Sequence, residues 1–244
     1  MNKHLIIGLS FLVAVVSASY ILGNAYKYKF KSGQTIDVTG NAEKNFESDI
    51  ITWSATFSKN NFDLKAASEE LKKDKEIIKN YLLNQGVPQK EFSFGSIDIQ
   101  KDYINSYDQN TGRSYSRFNG YNLSQTVGIA SNNLDKVDEI SREISDLISQ
   151  GIELSSQPAN YYYSKLEDLK LELISKASNN AKLRAQNIAK EADAQLGNLQ
   201  KADLGIFQIT GQNENESYSY GGAFNTSSRY KTANITVRAS YTIK

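Results

Sequence analysis

Residues 49–157 contain strand-like and helix-like hydrophobic patterns in a fixed order. This order restricts the fold more than any other feature of the sequence. Apolar and polar residues alternate at period two, the spacing of a strand, in "DIITWSATFS", "EFSFGSIDIQ" and "GYNLSQTVGIA". Apolar residues recur at helical spacing in residues 62–85 and 134–149. With "IELSS" as a further strand, the predicted order is β-α-β-β-α-β, a split βαβ arrangement.

The strand "EFSFGSIDIQ" changes parity in its middle. Phe92 and Phe94 share one parity, Ile97 and Ile99 share the other, and Gly95 lies between the two pairs. A β-bulge inserts one extra residue into a strand and shifts the alternation in this way. The sequence therefore predicts a bulge at Gly95.

A third and longer helix is predicted to begin at a capping-box pattern of Ser164 and Glu167 and to end at Gly197. Its apolar face is assigned to Leu166, Leu169, Leu173, Ala177, Ala181, Ile188 and Ala192. Further strands follow, of which "ANITVRASYTI" is the last. The predicted class is α+β: a mixed or antiparallel sheet in split β-α-β-β-α-β order with helices on one face, a long third helix and C-terminal strands.

The N-terminus carries an export signal. Lys3 precedes a mostly apolar run over residues 5–22, the charged-then-apolar pattern of a signal peptide, and the run is also long enough to span a bilayer. Small residues offer cleavage points after Ser19 and Ala25. Residues 1–26 are therefore either a cleaved signal peptide or an uncleaved membrane anchor. Both alternatives place the remainder in the periplasm or cell envelope, with an inner-membrane anchor in the second.

Two residue types that support many catalytic designs are missing from the body of the chain. The sequence has no cysteine, and its one histidine is His4, inside the leader. This excludes a thiol nucleophile, a Ser-His-Asp triad and metal sites that need Cys or His in the body. Lys plus Arg is 28 and Asp plus Glu is 27, so no cationic excess indicates nucleic-acid binding. The sequence identifies no catalytic residue, cofactor, metal or small-molecule ligand.

The segment "VTGNA" invites comparison with a phosphate-binding loop. A dinucleotide-binding loop needs G-x-G-x-x-G opening directly into a helix. Gly40 stands alone, and the residues after it alternate as a strand. We therefore predict that Gly40 permits a tight turn or bulge between two β segments.

Four segments together resemble the SIMPL domain family, which includes the bacterial periplasmic immunogenic proteins. They are "IDVTGNAEKNFESDIITWSATFS", "LLNQGVPQKEFSFGSIDIQKDY", "GYNLSQTVGIA" and "AKLRAQNIAKEADAQLGNLQKADL". In the first, Asp49 matches the family's acidic position, and Ser48 stands where Pro is usual. The resemblance covers residues 36–244, which we take as a SIMPL-like domain. It implies an α+β fold, an exported envelope protein that tends to form homo-oligomers, and no established enzymatic activity.

Candidate interaction residues come from tyrosine-rich stretches. Residues 102–118 and 211–229 are predicted loops, the second rich in Gly, Ser and Asn. The candidate surface consists of Tyr103, Tyr107, Tyr115, Tyr161, Tyr162 and Tyr163. Tyrosine combines a flat apolar ring with a polar tip, which suits a contact between copies or, as an alternative, a bound glycan.

A third hypothesis is a carboxylate-dependent hydrolase. Paired carboxylates can serve as general acid and base, and the candidates are Asp49, Asp98, Asp102 and Asp108. Asp98 alternates with Ile97 and Ile99 and is expected to face solvent. Asp49 begins a strand, where Asp is common as a turn residue. The favoured prediction remains a non-enzymatic envelope protein.

Overall fold

The computed structural model describes residues 3–31, 34–109, 112–214 and 221–244. The helices are α1 (Lys3–Lys31), α2 (Leu64–Asn84), α3 (Leu134–Glu143) and α4 (Leu166–Glu191), with short 3₁₀ segments at Gln89–Glu91 and Ile144–Gln150. The strands are β1 (Thr35–Glu47), β2 (Ile50–Asn61), β3 (Phe92–Asp108), β4 (Arg113–Ser131), β5 (Glu153–Ser156), β6 (Asn160–Tyr162), β7 (Leu196–Leu204), β8 (Gln208–Gly211) and β9 (Tyr230–Ile243).

The strands form two antiparallel sheets. In the first sheet, β9 pairs with β1 on one side and with β7 and β8 on the other. In the second, the order is β3-β4-β2-β5, and β6 also pairs with β2. The predicted α+β class is confirmed, as is the split order, which is β2-α2-β3-β4-α3-β5. The structure differs from the prediction in one respect: it has two sheets, whereas the sequence predicted one.

The division into two sheets originates at the end of β1. Only Ser48 and Asp49 separate β1 from β2, yet the two strands belong to different sheets. β1 instead pairs over its whole length with β9, from Thr35 opposite Thr242 to Glu47 opposite Tyr230. Because β9 is distant from β1 in the sequence, the residues around β1 do not indicate this pairing.

The core of the second sheet lies under α2 and α3. The period-two face of β2, which includes Ile51, Trp53 and Phe57, is buried there with Leu71 of α2 and Ile140 of α3. Two faces with matching hydrophobic periods thus cover each other, as the sequence predicts. The opposite face of β2 carries Ser and Thr and remains partly open to solvent.

The core of the first sheet lies under α4 and uses small residues. The buried residues of α4 recur every fourth position, as Leu169, Leu173, Ala177, Ala181, Ala185 and Ala189. Such an i, i+4 row is one of the ridges by which helices pack closely. The predicted apolar face of α4 is correct from Leu169 to Ala181. Beyond that point it is wrong, because Ile188 is 49% exposed and the helix ends before Ala192. Gly197 lies within β7 and does not end the helix.

Gly40 is in the middle of β1, not in a turn or bulge, so that prediction is wrong. It pairs with Val237 of β9, and α4 passes directly over it. A Cβ added to Gly40 would lie 2.2 Å from the carbonyl oxygen of Ala177 and 2.4 Å from the nitrogen of Ala181. Gly40 is therefore needed because the α4 backbone approaches the strand closely.

The helix α1 contributes no side chain to the hydrophobic cores. Its described apolar residues, from Ile7 to Tyr26, are exposed. All three clusters of buried apolar residues are built from residues between Ile36 and Ile243. Of the described residues, those from 34 onwards therefore contain all three clusters, and we expect this part of the chain to fold without α1.

Candidate interaction surface

The hairpin of β3 and β4 extends beyond the remainder of the second sheet. The β2–β4 ladder ends where Asn61 pairs with Tyr121. From Gly120 to Arg113, β4 pairs with β3 alone. We call this two-stranded part, residues 102–109 and 112–120, the ribbon. At about 3.3 Å per residue, its paired strands extend about 20 Å. The prediction of a loop at 102–118 is wrong, because cross-strand pairing continues through the polar residues.

Three of the six candidate tyrosines lie on the ribbon. Tyr107 is 65% exposed, Tyr115 is 52% exposed and Tyr103 is 49% exposed. Strand alternation places Tyr103 and Tyr107 on the face that carries α2, and Tyr115 on the opposite face. Both faces of the ribbon therefore present aromatic rings to solvent.

The other three tyrosines lie around β6, away from the ribbon. Tyr161 packs against the core of the second sheet, and Tyr163 packs against that of the first. Tyr163 also contacts Phe46, with ring centroids 4.8 Å apart. Tyr162 is 37% exposed. The six predicted residues thus belong to two separate places in the fold.

Tyr161 makes a specific polar contact as well. Its hydroxyl donates a hydrogen bond of 2.6 Å to Oδ1 of Asp138 in α3. Burial, together with this bond to a carboxylate, raises the pKa of Tyr161 to about 12. Tyr161 is therefore a neutral hydrogen-bond donor that fixes β6 against α3.

Two phenylalanines at the base of the ribbon, Phe62 and Phe118, escaped the sequence prediction. Phe118 contacts Tyr121 at 5.2 Å, Tyr103 at 5.8 Å and Phe62 at 6.5 Å between ring centroids. Phe62 is isolated between polar residues in the sequence, so no hydrophobic period indicates it. Gly120, with φ of 116°, allows this approach, since an added Cβ would lie 2.8 Å from the carbonyl oxygen of Asn61.

The predicted bulge at Gly95 is confirmed. It determines which side chains of β3 lie on the face that carries α2. The ladder shifts between Phe94 and Ile97. The buried Gln125 side chain donates 2.7 Å to the carbonyl oxygen of Gly95. Because of the shift, Ile97 and Ile99 lie on the same face as Phe94, and they remain 37% and 54% exposed.

A polar junction connects the two sheets where β1 passes into β2. Nε of Arg229, just before β9, lies 2.7 Å from Oε1 of Glu47, and its Nη1 lies 2.5 Å from Oδ1 of Asp135 in α3. Asp138 is 3.9 Å away. The carboxylates of Asp135 and Glu47 raise the pKa of Arg229 above its ordinary value. A permanent cation thus joins elements of both sheets.

Asp49, the residue that matches the acidic position of the resemblance, forms a second link at this junction. Its Oδ1 accepts 2.7 Å from the N–H of Ser164, and its Oδ2 accepts 2.5 Å from the Ser164 hydroxyl. The predicted capping box is wrong, because the N-cap of α4 is Lys165 and the Ser164 side chain bonds Asp49 instead. Next to Asp49, the N–H of Ser48 donates 3.0 Å to the carbonyl oxygen of Arg229. A proline at position 48 could not make that bond.

The candidate carboxylates of the hydrolase hypothesis occupy separate positions. Asp98 is exposed, as predicted, and accepts 2.8 Å from Gln100. Asp102 accepts 2.5 Å from Asn119 at the start of the ribbon. Asp108 lies at the end of β3 near the ribbon tip. Asp49 is at the junction, at the opposite end of β2 from the ribbon, so the four do not converge on one cleft.

Ionic contacts elsewhere attach α4 to the first sheet. Glu172 accepts 2.8 Å from Lys176 of the same helix and 2.6 Å from Lys44 of β1. Hydrogen bonds from these two lysines lower the pKa of Glu172 to about 2, and the bond to Glu172 raises that of Lys44. Arg184 continues this edge, donating 2.8 Å to the carbonyl oxygen of Thr39.

The glycine- and serine-rich stretch 211–229 is described only in part, since residues 215–220 lie outside the described residues. Its last part packs against β8: the N–H of Ile209 donates 2.7 Å to Ala223, and that of Asn225 donates 2.9 Å to Ile209. Nζ of Lys231, which is 2% exposed, donates 2.6 Å to the carbonyl oxygen of Asn225. This described part is therefore integrated into the first sheet.

The helix α1 is long and apolar enough to cross a bilayer over the 21 residues Ile7–Lys27, and this span is unburied. Both candidate cleavage points, after Ser19 and after Ala25, lie inside the helix. The helix is compatible with a signal peptide or a membrane anchor. In the described part of the chain, no three His, Cys, Asp or Glu side chains are grouped so that they could hold a metal ion.

Comparison with known proteins gives one positive finding. The family model SIMPL, described as a protein of unknown function (DUF541), matches residues 36–244. The match therefore covers every strand of both sheets and α2 to α4, and it begins after α1. No curated protein matches the chain.

Proposed function

The chain belongs to the SIMPL family, and from this premise we propose that it is a non-enzymatic, exported envelope protein that acts by associating with further copies of itself. The ribbon and the free edge of β3 would form the contact. α1 would hold the protein to the membrane, with residues 36–244 on the outer side of that membrane. The observation that carries this proposal is the ribbon with exposed rings on both of its faces.

A projecting two-stranded ribbon favours a partner on energetic grounds. An isolated hairpin is at best marginally stable in water and usually needs another strand or surface to pack on. The rings of Tyr103, Tyr107 and Tyr115 would each remove apolar area from water, at about 25 cal/mol per Å² buried. Tyrosine is also enriched at protein interfaces. The ribbon is thus suited to being covered.

The edge of β3 supports a second copy as the partner. β3 is 17 residues long and is the terminal strand of its sheet. In the described residues, nothing pairs with its outer edge. A long edge strand is a template for further pairing, and antiparallel pairing of two identical edges is self-complementary about a two-fold axis. Every copy carries the same edge, so association needs no other component.

Light scattering on residues 34–244 tests the proposal. We expect the wild type to be oligomeric and the double variant Tyr107→Ser, Tyr115→Ser to shift towards the monomer. Leu183→Ser is the matched control, because Leu183 is similarly exposed, at 49%, but lies on α4. A strictly monomeric wild type, or equal effects of the two changes, contradicts the proposal.

Cysteine cross-linking would locate the contact. The chain has no cysteine, so each single-cysteine variant has one thiol. We expect oxidation to produce covalent dimers from one or more positions between Ile99 and Asn105 of β3. A cysteine at Leu183 should give none. Dimers from the α4 position alone would place the contact elsewhere.

The non-enzymatic part of the proposal is supported by the contacts of the candidate carboxylates. Asp49 bonds Ser164, Asp98 bonds Gln100, and Asp102 bonds Asn119. These bonds serve local structure and leave the groups far apart along the second sheet. A hydrolysis that is measured in the wild type and lost in Asp49→Asn or Asp102→Asn would overturn it.

Glycan binding is a second candidate, and the exposed rings of Tyr107 and Tyr115 favour it. Flat aromatic faces at a projecting tip can stack on sugar rings. A glycan array with residues 34–244 tests this, with Tyr107→Ser as the comparison. An array on which the wild type binds no glycan ends this alternative and leaves the self-association proposal unaffected.

A further inference from the structure

A polar cavity of about 370 Å³ lies on the face of the second sheet that α2 and α3 do not cover. Its volume falls within the range of sites that hold small ligands. Side chains of β2, β3, β4 and β5 line it, and most of them carry oxygen atoms. They include the hydroxyls of Ser58 and Ser124, the amides of Gln100 and Asn122, and the carboxylates of Asp98 and Glu153.

The two carboxylates are the only charged groups in this lining, among the residues that the structure describes. Neither Asp98 nor Glu153 forms an ion pair within the described part of the chain. The hydrogen bond that Asp98 accepts from Gln100, at 2.8 Å, comes from a neutral amide. A cleft whose lining carries charge of one sign attracts ligands of the opposite sign. The cavity therefore selects a cation.

The carboxylates lie at the two ends of one row of side chains that crosses the sheet. Glu153 of β5 pairs with Ser58 of β2, and Ser58 pairs with Ser124 of β4. Ser124 in turn pairs with Asp98 of β3. Strand alternation puts all four side chains on the open face. At about 4.8 Å between neighbouring strands, the backbones of Glu153 and Asp98 are about 14 Å apart.

This separation decides which kind of cation fits. A metal ion such as Ca²⁺ bonds its oxygen ligands at about 2.3–2.6 Å and cannot contact the carboxylates at both ends of the row. An elongated molecule with a positive group at each end can contact both. Ser58 and Ser124 lie between the ends, where their hydroxyl oxygens can accept hydrogen bonds from the N–H groups of such a molecule.

We propose that this cavity binds a linear diamine or polyamine, with one terminal ammonium group at Glu153 and the other at Asp98. Two positive charges match the two carboxylates, and the extended chain of the ligand follows the row between them. The site is independent of self-association through the outer edge of β3. Glu153 belongs to β5, at the opposite edge of the sheet, and the side chain of Asp98 stands perpendicular to the sheet.

Isothermal titration calorimetry with spermidine tests the proposal on the full chain in a nonionic detergent, which keeps α1 soluble and adds no charge. We expect saturable binding with a Kd that rises with salt concentration, because salt screens exposed charges. Glu153→Gln removes one carboxylate and should raise Kd about fivefold, as expected for a partly exposed ion pair. Asp98→Asn should have a similar effect from the other end of the row.

The matched control is Glu43→Gln. It is the same change at an exposed strand position, but Glu43 lies on β1 in the other sheet. We expect the Kd of this variant to equal that of the wild type. Far-UV circular dichroism and light scattering of each variant show whether the fold and the oligomeric state are unchanged, so that lost binding is not confused with lost folding or altered association.

The length of the ligand tests whether both ends are contacted. 1,8-Diaminooctane and 1,3-diaminopropane carry the same charge, but the shorter molecule cannot extend from one carboxylate to the other. We expect the longer diamine to bind the wild type about fivefold more tightly, the equivalent of one such ion pair. In Glu153→Gln this difference should disappear, because only one end of the row keeps its charge.

Three results would overturn the proposal. The first is a wild type that shows no saturable binding of spermidine. The second is an equal Kd for spermidine in the wild type, Glu153→Gln and Asp98→Asn. The third is an equal Kd of the two diamines for the wild type, which would reduce the site to single, separate carboxylates.

Discussion

The carboxylate of Asp49 accepts both the backbone N–H and the hydroxyl of Ser164, at 2.7 and 2.5 Å. Asp49 lies in the two-residue connection between the sheets, and Ser164 lies just before α4. One side chain therefore ties the crossing point of the chain to the helix that covers the first sheet.

Loss of this link should be measurable. Asp49→Ala is expected to lower the free energy of unfolding by about 2 kcal/mol, because two charge-assisted hydrogen bonds are lost at a half-buried site. Ser164→Ala removes only the hydroxyl bond and should cost about 1 kcal/mol. Urea denaturation of residues 34–244 measures both, and Asp98→Ala, at an exposed strand position, is the control. Equal stability of Asp49→Ala and the wild type would contradict this role.

Ser48 offers a change in the opposite direction. Its hydroxyl oxygen is buried and has no hydrogen-bond partner among the residues that the structure describes, and the residue is 4% exposed. Ser48→Ala should therefore raise the free energy of unfolding by about 1 kcal/mol, since an unsatisfied buried hydroxyl is removed. Ser48→Pro should lower it by about 1–3 kcal/mol, because the N–H that bonds Arg229 is lost. Thermal denaturation distinguishes the two, and a destabilised Ser48→Ala would show that the hydroxyl has a partner.

Gly40 should not tolerate a side chain. In Gly40→Ala, the new methyl group would collide with backbone atoms of Ala177 and Ala181, which can only separate if α4 moves. We expect a loss of about 3 kcal/mol, the upper part of the range for overpacked cores. Gly128→Ala is the control, since its added Cβ has nothing nearer than 3.9 Å. Similar unfolding midpoints for the two variants would disprove the close approach of α4.

The pKa of Glu172 gives a prediction about pH. Hydrogen bonds from Lys176 and Lys44 lower this pKa from 4.5 to about 2. A depressed carboxyl pKa stabilises the fold fully above the ordinary value, and this contribution is lost as the pH falls through about 2. NMR titration of the Glu172 carboxyl carbon should show the low pKa and a rise towards 4.5 in Lys176→Met. An unchanged Glu172 pKa in Lys176→Met would contradict this prediction.

The sequence was sufficient where the burial of a strand or helix follows its own hydrophobic period. The alternating faces of β2 and of the inner part of β4, from Tyr121 onwards, are buried as predicted. The bulge at Gly95 was also predictable, because two apolar pairs change parity around a glycine. In these places, local pattern and tertiary packing agree.

Prediction failed where distant residues decide the structure. Gly40 looked like a turn because the helix that passes over it lies more than a hundred residues later in the chain. Ser164 fitted a capping box, but Asp49 competes for its hydroxyl. The sequence analysis assigned Ile188 to the buried face of α4, but Ala185 and Ala189 are buried instead. Small side chains are favoured there because the helix lies close to a strand.

The sequence indicated only part of the arrangement of the candidate tyrosines, and their role in an interaction stays a prediction. Tyr103, Tyr107 and Tyr115 do share one projecting arm. The sequence did not show that this arm is a paired ribbon, because its residues lack a hydrophobic period. Phe62 escaped for a different reason: it acquires its neighbours only when β4 folds back next to β2.

The pairing of β1 with β9 has a mechanical consequence. Thr35 at the start of β1 pairs with Thr242 near the end of β9, so residues 34 and 244 lie at the same end of one ladder. The hydrogen bonds of an antiparallel ladder are perpendicular to its strands. A tension that pulled residues 34 and 244 apart would therefore load these bonds one after another, beginning at Thr35 and proceeding towards Glu47. The first sheet would open from the end that adjoins α1.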